Sequence, residues 1–302
     1  MSAIWIITDG KPGHYNQSLG LANALKALQP PLQVETLPAL PKRQLLRILA
    51  GGALPEPLRT SAQRNPPQLL IAAGHATHLS LLLLSRHLKA RSVVLMQPSL
   101  PCRWFDLCLI PRHDHPRPAA NIVETQGALN PMSPGVKHAN TGLILIGGPS
   151  KHHGWNDDQL LSQLRPLLAS STCQWLMTSS RRTPEETLLR LKSLEGITFV
   201  PFSETPPGWV AAQLSTAEQA WITADSVSMV YEALTAGCAV GVLDVPLRQA
   251  ERPSRLVKGL EQLVRQGWVH QGVDHSEALQ AVTPTLNEAQ RCARLIHDRG
   301  WL

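Results

Sequence analysis

The sequence predicts an α/β protein built from two Rossmann-like domains facing each other across a cleft. Short apolar runs alternate with helical patterns along nearly the whole chain, as in successive β-α units. Several of the runs are apolar throughout, which marks strands buried on both faces of a parallel sheet. The alternation breaks in residues 126–140 (QGALNPMSPGVKHAN), which hold two prolines, two glycines and no long apolar run, and then it restarts. The expected division is residues 1–125, a linker at 126–140, a second domain at 141–285, and a closing helix at 286–302 packing back on the first domain. At 302 residues, 43% hydrophobic and 17% charged, the chain is long enough for two cores.

In the first half, Ala3 to Thr8 reads as a buried strand running into a glycine-containing loop, residues 9–18 (DGKPGHYNQS). A helical pattern through Leu19, Ala22, Leu25 and Leu28 follows. Strand, glycine loop and helix together bring backbone amides close to an oxyanion or phosphate, although this is not a Walker A or GxGxxG sequence. His14 ends the loop, just past a strand's carboxyl end, where open sheets bind ligands. Gln33 to Leu37 is a second strand, Lys42 to Ala50 a basic amphipathic helix, and Gly51 to Pro67 a Gly/Pro-rich loop. Gln68 to Ala73 is a third strand, ending in Gly74-His75-Ala76-Thr77-His78 before a leucine-rich helix. Ser92 to Gln97 and Asp106 to Ile110 are further strands. His113, Asp114 and His115 follow in a proline-flanked loop, where alternate residues point apart, and no metal is expected there.

In the second half, Thr141 to Ile146 is a strand leading to a Gly-rich turn, Gly147-Gly148-Pro149-Ser150-Lys151, ahead of a helix from about Asp157. Gln174 to Met177 is a strand ending at Thr178-Ser179-Ser180-Arg181-Arg182. Pro184 suits a first helical turn, where Glu185 and Glu186 complement the helix dipole. Ile197 to Val200 is a third strand. Ala220 to Val245, AWITADSVSMVYEALTAGCAVGVLDV, then reads as strand, polar turn, helix and strand. Its turn holds Asp225, Ser226 and Ser228, its helix Met229 and Glu232, and Gly237 ends that helix. Such a turn lies at a sheet's carboxyl edge, where helix amides favour anions; the same residue types also cap helices. Arg252 to Arg265 and Asn287 to Arg299 read as terminal helices.

Composition narrows the chemistry. The five cysteines form no CxxC pair, which suits reduced thiols in a cytosolic protein and no cysteine zinc site. No apolar run is long enough to span a bilayer, and residues 1–20 lack a signal-peptide pattern. Residues 1–140 carry 14 Lys and Arg against 6 Asp and Glu, a charge of +8, whereas residues 141–302 carry 14 against 16, or −2. The basic half suits an anionic membrane surface; few aromatics and no basic-aromatic clusters argue against nucleic acid. Arg181, Arg182, Lys151 and the Gly-Gly turn suit a diphosphate, and without any Asp-x-Asp there is no carboxylate pair to hold a bridging metal.

ITDGKPGHYNQSLGLANAL, LIGGPSKHHGW, MTSSRRTP and ITADSVSMVYEAL with AGCAV after it resemble, in this order and over nearly the whole chain, bacterial relatives of the mitochondrial-fission ELM family. That family is similar in turn to GT-B glycosyltransferases such as the enzyme adding N-acetylglucosamine to the lipid-linked peptidoglycan precursor. The resemblance implies a C-terminal domain that binds the nucleotide sugar and an N-terminal Gly/His loop facing the acceptor. Asp9 to His14 matches that loop, with GKPGH in place of a GTGGH-like form. Gly147 to Lys151 matches the first loop of the nucleotide domain, and Ser226, Ser228 and Glu232 match an S-x-x-x-x-x-E region whose glutamate holds the ribose hydroxyls.

The expectation is therefore a cytoplasmic, metal-independent GT-B glycosyltransferase, peripheral to the inner face of the membrane and needing no cofactor beyond its nucleotide-diphosphate sugar. His14 or Asp9 takes the proton of the acceptor, which is lipid-linked in this reading. Gly147, Gly148, Ser150, Lys151, Thr178, Ser179, Arg181, Arg182, Asp225, Ser226, Ser228, Met229 and Glu232 hold the nucleotide sugar. Lys11, Gly13, Gly74, His75 and His78 face the acceptor. Two other readings share the pattern: a nucleotide-sugar epimerase with His75 and His78 as its acid/base pair, and a non-enzymatic scaffold recruiting proteins at a membrane.

Overall fold

Strand β1 (Ala3–Thr8) shows how each sheet is held. Alternate side chains of a strand point to opposite faces, so Ile4 and Ile6 enter one apolar layer while Trp5 and Ile7 enter the other, all fully buried. A strand apolar on both faces is stable only between two layers of helices. The computed structural model describes residues 2–169, 173–249, 254–272 and 279–302. After β1 come α1 (Pro12–Leu28), β2 (Gln33–Pro38), α2 (Lys42–Leu49), α3 (Glu56–Arg64), β3 (Pro67–Ala73), α4 (His78–Leu88), β4 (Arg91–Leu95), β5 (Leu107–Pro111) and β6 (Ile122–Thr125). The chain continues through β7 (His138–Leu145), α5 (Asp157–Ala169), β8 (Gln174–Thr178), α6 (Glu185–Lys192), β9 (Ile197–Val200), α7 (Trp209–Thr216) and β10 (Ala217–Thr223). It closes with α8 (Val227–Ala236), β11 (Ala239–Leu243), α9 (Arg255–Arg265), β12 (His270–Gln271) and α10 (Glu288–Asp298).

These elements divide into two compact units, Met1–Pro131 with Asn287–Leu302, and Met132–Leu286. In unit 1 the strand order is β2-β1-β3-β4-β5-β6, every pair parallel. One face is covered by α1 and α10, where Leu21 and Leu25 meet Cys292, Ala293 and Ile296; the other is covered by α2, α3 and α4. Glu288 ties α10 down by accepting from the Gln126 amide at 3.0 Å, and Arg291 donates to the Glu124 carbonyl at 2.6 Å. In unit 2 the order is β12-β11-β10-β7-β8-β9, again all parallel. Ile144, Trp175 and Met177 pack toward α5, and Leu143, Ile222 and Val242 toward α8 and α9.

Several boundaries differ from the sequence reading. α1 starts at Pro12, not near Leu19, because proline at a first helical position is pre-set for the helix and loses no needed N–H. The loop after β1 is thus only Asp9–Lys11, and His14 lies in a first helical turn. Residues 51–67, read as loop, contain α3; Pro57 stands in its first turn, where it costs nothing. Strand β7 begins at His138, inside the stretch expected to be linker. β4 stops at Leu95, short of Gln97, as Met96 turns the chain with φ of 69°. Of the helix expected from Arg252, residues 252–253 lie outside the described residues, and α9 runs from Arg255. Among the described residues no helix is long and apolar enough to cross a membrane.

Candidate functional site

In an open parallel sheet, ligands settle outside the carboxyl ends of strands where the winding reverses direction. In unit 1 that reversal falls between β1 and β3, and in unit 2 between β7 and β10. Asp9 to His14 follow β1 and Gly74 to His78 follow β3; Gly147 to Ser150 follow β7 and Ala224 to Ser226 follow β10. The polar strand-end residues of the sequence thus sit at the switch point of each sheet.

In unit 1 the central contact is Asp9 to His14, with Oδ2 and Nδ1 2.9 Å apart. The Asp9 side chain is only 6% exposed. Burial alone raises a carboxyl's pKa, but the His14 hydrogen bond and the Lys11 amide outweigh it and hold Asp9 below its ordinary value. An ionised carboxylate only accepts, so Nδ1 of His14 donates, and Nε2 is the ring nitrogen that Asp9 does not engage. Gly74, with φ of 92°, lies directly beside this ring, and a Cβ there would overlap it. Behind it, His78 is buried at the head of α4, where Nδ1 accepts from the Ser99 amide at 3.2 Å. Its Nε2 therefore bears the proton, and it is buried with no partner among the described residues. Burial first, then the charges of His75 and His14, lower the His78 pKa to about 4.

In unit 2 the Gly147–Gly148 turn is held from three sides. The Gly147 amide donates to Thr223 Oγ1 at 2.8 Å, and its carbonyl accepts from Ser180 and Thr183. The Gly148 amide donates to Asp225 Oδ2 at 3.2 Å. Arg182 spans the turn: Nη2 reaches Asp225 at 2.6 Å and Ser226 Oγ at 3.3 Å, while Nη1 reaches the carbonyls of Gly148 and Pro149 at 2.8 and 3.2 Å. Ser150 Oγ accepts from the amides of His152 and His153. Helix α8 then leaves Ser226 without a side-chain cap on its amide end. Ser228, Met229 and Glu232, at helical spacing, form its less buried stripe. Burial pushes the Glu232 carboxyl up to about 7, and among the described residues it has no hydrogen-bond partner.

The family model described as Mitochondrial fission ELM1 matches residues 12–300. The chain belongs to this family. An uncharacterized protein of Rickettsia prowazekii is 25% identical over 97% of both chains. Among solved structures, MurG of Acinetobacter baumannii is 15% identical, covers 99% of this chain and 100% of its own, and superposes with a TM-score of 0.52. A Listeria monocytogenes protein assigned as a UDP-N-acetylglucosamine 2-epimerase is 13% identical over 99% and 96%, with a TM-score of 0.56. The Phytolacca americana enzyme UGT2, solved with UDP-2-fluoro-glucose and pterostilbene, is 11% identical over 99% and 90%, at 0.52. These likenesses establish the two-domain Rossmann-like GT-B architecture for this chain.

Within that architecture, several of the expected residues make contacts inside the protein. Arg182, expected beside Arg181 at the diphosphate, has its guanidinium on the turn carbonyls and on Asp225, a buried carboxylate that it pairs. Arg181 is exposed and lies over the Phe202 ring, 5.1 Å from its centroid. Thr178 and Ser179 are buried, and Ser179 Oγ accepts from the Phe202 amide at 3.0 Å, so these hydroxyls brace strand ends. Neither Asp225 nor Ser226 caps α8. His78, expected to pair with His75 as acid and base, is buried and its pKa is lowered to about 4. Lys11 and Lys151 are exposed, and Gly13 has open space around its Cα. Phe202 carries no sequence signal, being a lone aromatic without a motif around it, whereas Thr183 and Thr223 lie inside the MTSSRRTP and ITADSVSM motifs. Among the described residues no group of three or more His, Cys, Asp or Glu is placed to hold a metal ion.

Proposed function

We propose that this ELM1-family chain is a metal-independent glycosyltransferase that takes a sugar from a nucleoside-diphosphate donor. The observation carrying the reading is Glu232: a carboxyl with no protein partner, pushed up to about 7 by burial, on the stripe of α8 that starts at the uncapped amide end. Such a group is left short of donors, and the two hydroxyls of a ribose supply them. The amide end of α8 and the exposed Arg181 suit the diphosphate, which leaves with the electron pair of the sugar C1–O bond. In unit 1, His14 Nε2 accepts the acceptor's hydroxyl proton as the new bond to C1 forms, and Asp9 steadies the imidazolium. The names of the A. baumannii and P. americana relatives fit this class, and the L. monocytogenes relative marks the epimerase alternative.

The acceptor in this reading is lipid-linked, and the chain works against an anionic membrane. What supports it is α2, whose Lys42, Arg43 and Arg47 stand beside Leu46 and Leu49, exposed by 65% and 59%.

Thermal-shift and calorimetric titration with UDP, ADP, GDP and CDP test the donor assignment. At least one diphosphate should stabilise the protein, and Glu232→Ala should weaken that ligand by about 1–3 kcal/mol without lowering the melting temperature of the free protein at pH 7 or above. No stabilisation by any of the four would leave the scaffold reading standing. Conversion of a donor sugar with no acceptor added would instead select the epimerase.

A further inference from the structure

The Gly147–Gly148 turn has the glycines and amides that suit a phosphate, yet it already carries an anion. The Asp225 side chain is 0% exposed, and its Oδ2 accepts from the Gly148 amide at 3.2 Å, from Ser226 Oγ at 3.0 Å and from Arg182 Nη2 at 2.6 Å. Amide, hydroxyl and guanidinium are the groups a phosphate would use here, and each is committed to the carboxylate. The glycine at 147 is explained by the same contact, since a Cβ there would overlap the Asp225 carboxylate and Ser226 Oγ. Its role is to admit Asp225. The other carboxylate oxygen, Oδ1, is buried with no partner among the described residues. A side chain serving only to brace the turn would gain nothing from a charge left half-satisfied in a dry place.

We infer that Asp225 is a resident counter-anion of the diphosphate position, exchanged for the ligand on binding. While the position is empty, Asp225 keeps Arg182 and the Gly148 amide aligned. A nucleoside diphosphate displaces the carboxylate from both, because a phosphate and a carboxylate cannot share one guanidinium and one amide without like-charge repulsion. The exchange also sets selectivity: a ligand with two phosphates competes for Arg182, a nucleoside does not. The inference rests on the reading of unit 2 as a nucleoside-diphosphate site and adds what governs its affinity.

Calorimetric titration with UDP, UMP and uridine, on wild type, Asp225→Asn and Arg182→Gln, separates the two. Asparagine keeps the shape and accepting oxygen but not the charge. Asp225→Asn should bind UDP at least tenfold more tightly, UMP with a smaller gain, and uridine unchanged. Arg182→Gln should lose at least tenfold for UDP. Thermal melts establish that each variant is folded, and Asp225→Ser replaces the asparagine variant if that one is not. UDP bound by wild type but equally or more weakly by folded Asp225→Asn would make Asp225 a brace and overturn the inference alone. UDP affinity unchanged in folded Arg182→Gln would do the same. If neither wild type nor Asp225→Asn binds UDP, ADP, GDP or CDP, the diphosphate reading falls and takes the inference with it.

Discussion

His78 and Glu232 are both ionisable side chains that burial drives toward the neutral form, with opposite signs in pH. For His78 the folded value is about 4 against an ordinary 6.5. Below pH 6.5 the unfolded chain binds a proton that the fold refuses, so stability falls as pH drops from 6.5 toward 4. Between pH 8 and pH 5 this amounts to roughly 2 kcal/mol at 1.36 kcal/mol per pKa unit. His78→Gln, which keeps an acceptor for the Ser99 amide, should flatten that slope in urea denaturation curves; parallel slopes for the two proteins would show that His78 is not its source. Glu232 runs the other way, its share of stability being greatest below its ordinary value of 4.5 and lost as pH rises through about 7. The sequence displayed Asp9, His14, Gly147 and Glu232 because each stands in a motif with fixed spacing. It could not display Arg182's partner, since Arg182 and Asp225 lie 43 positions apart and only the order β10-β7-β8 brings them together.

At the scale of elements, strands apolar on both faces and helices apolar on one were the readable ones. β1, β3, β7, β8 and β11 were evident from unbroken apolar runs, whereas α3 is polar over most of its length and buries only Leu58. α7 and β6 escaped for a similar reason: α7 buries only Leu214, and Thr125 is the one buried residue of β6. α2 was legible as basic and amphipathic, and the fold adds that Leu45 and Ile48 supply its buried side while Leu46 and Leu49 remain outside. Two exposed leucines one turn apart, flanked by three cations and no acidic residue, match the interface of an anionic bilayer. Of the other basic residues in this half, Arg112 is already paired with Glu124 at 3.3 Å. Sedimentation with vesicles should therefore depend on anionic lipid and decline with salt. Leu46→Glu with Leu49→Glu should lower binding at least tenfold, since each buried leucine is worth about 1.5–3 kcal/mol. Equal binding of wild type and double variant, or no preference for anionic lipid, would count against α2 as the docking element.

For the whole molecule, the two units carry different chemistry on one architecture. Unit 1 places a hydrogen-bonded Asp9–His14 pair at its switch point and its half of the sequence carries the net positive charge; unit 2 places glycine turns, a helix amide end and an unpartnered carboxyl at its own. Each unit has its own pair of apolar layers, so a ligand held by one need not order the other. If unit 2 alone holds the nucleotide, hydrogen exchange with UDP bound should slow amides at residues 146–150 and 224–232 and leave those of β1, α1 and β3 unchanged. His14→Ala should retain the wild-type affinity for UDP while losing 10²–10⁴-fold in sugar transfer, the range for a general base. Neither result should change when EDTA replaces magnesium, because charge at the diphosphate is balanced by guanidinium and amides instead of a carboxylate-held cation. Protection appearing first in β1 and α1, or affinity abolished by EDTA, would assign the nucleotide to the wrong unit or the neutralisation to the wrong chemistry.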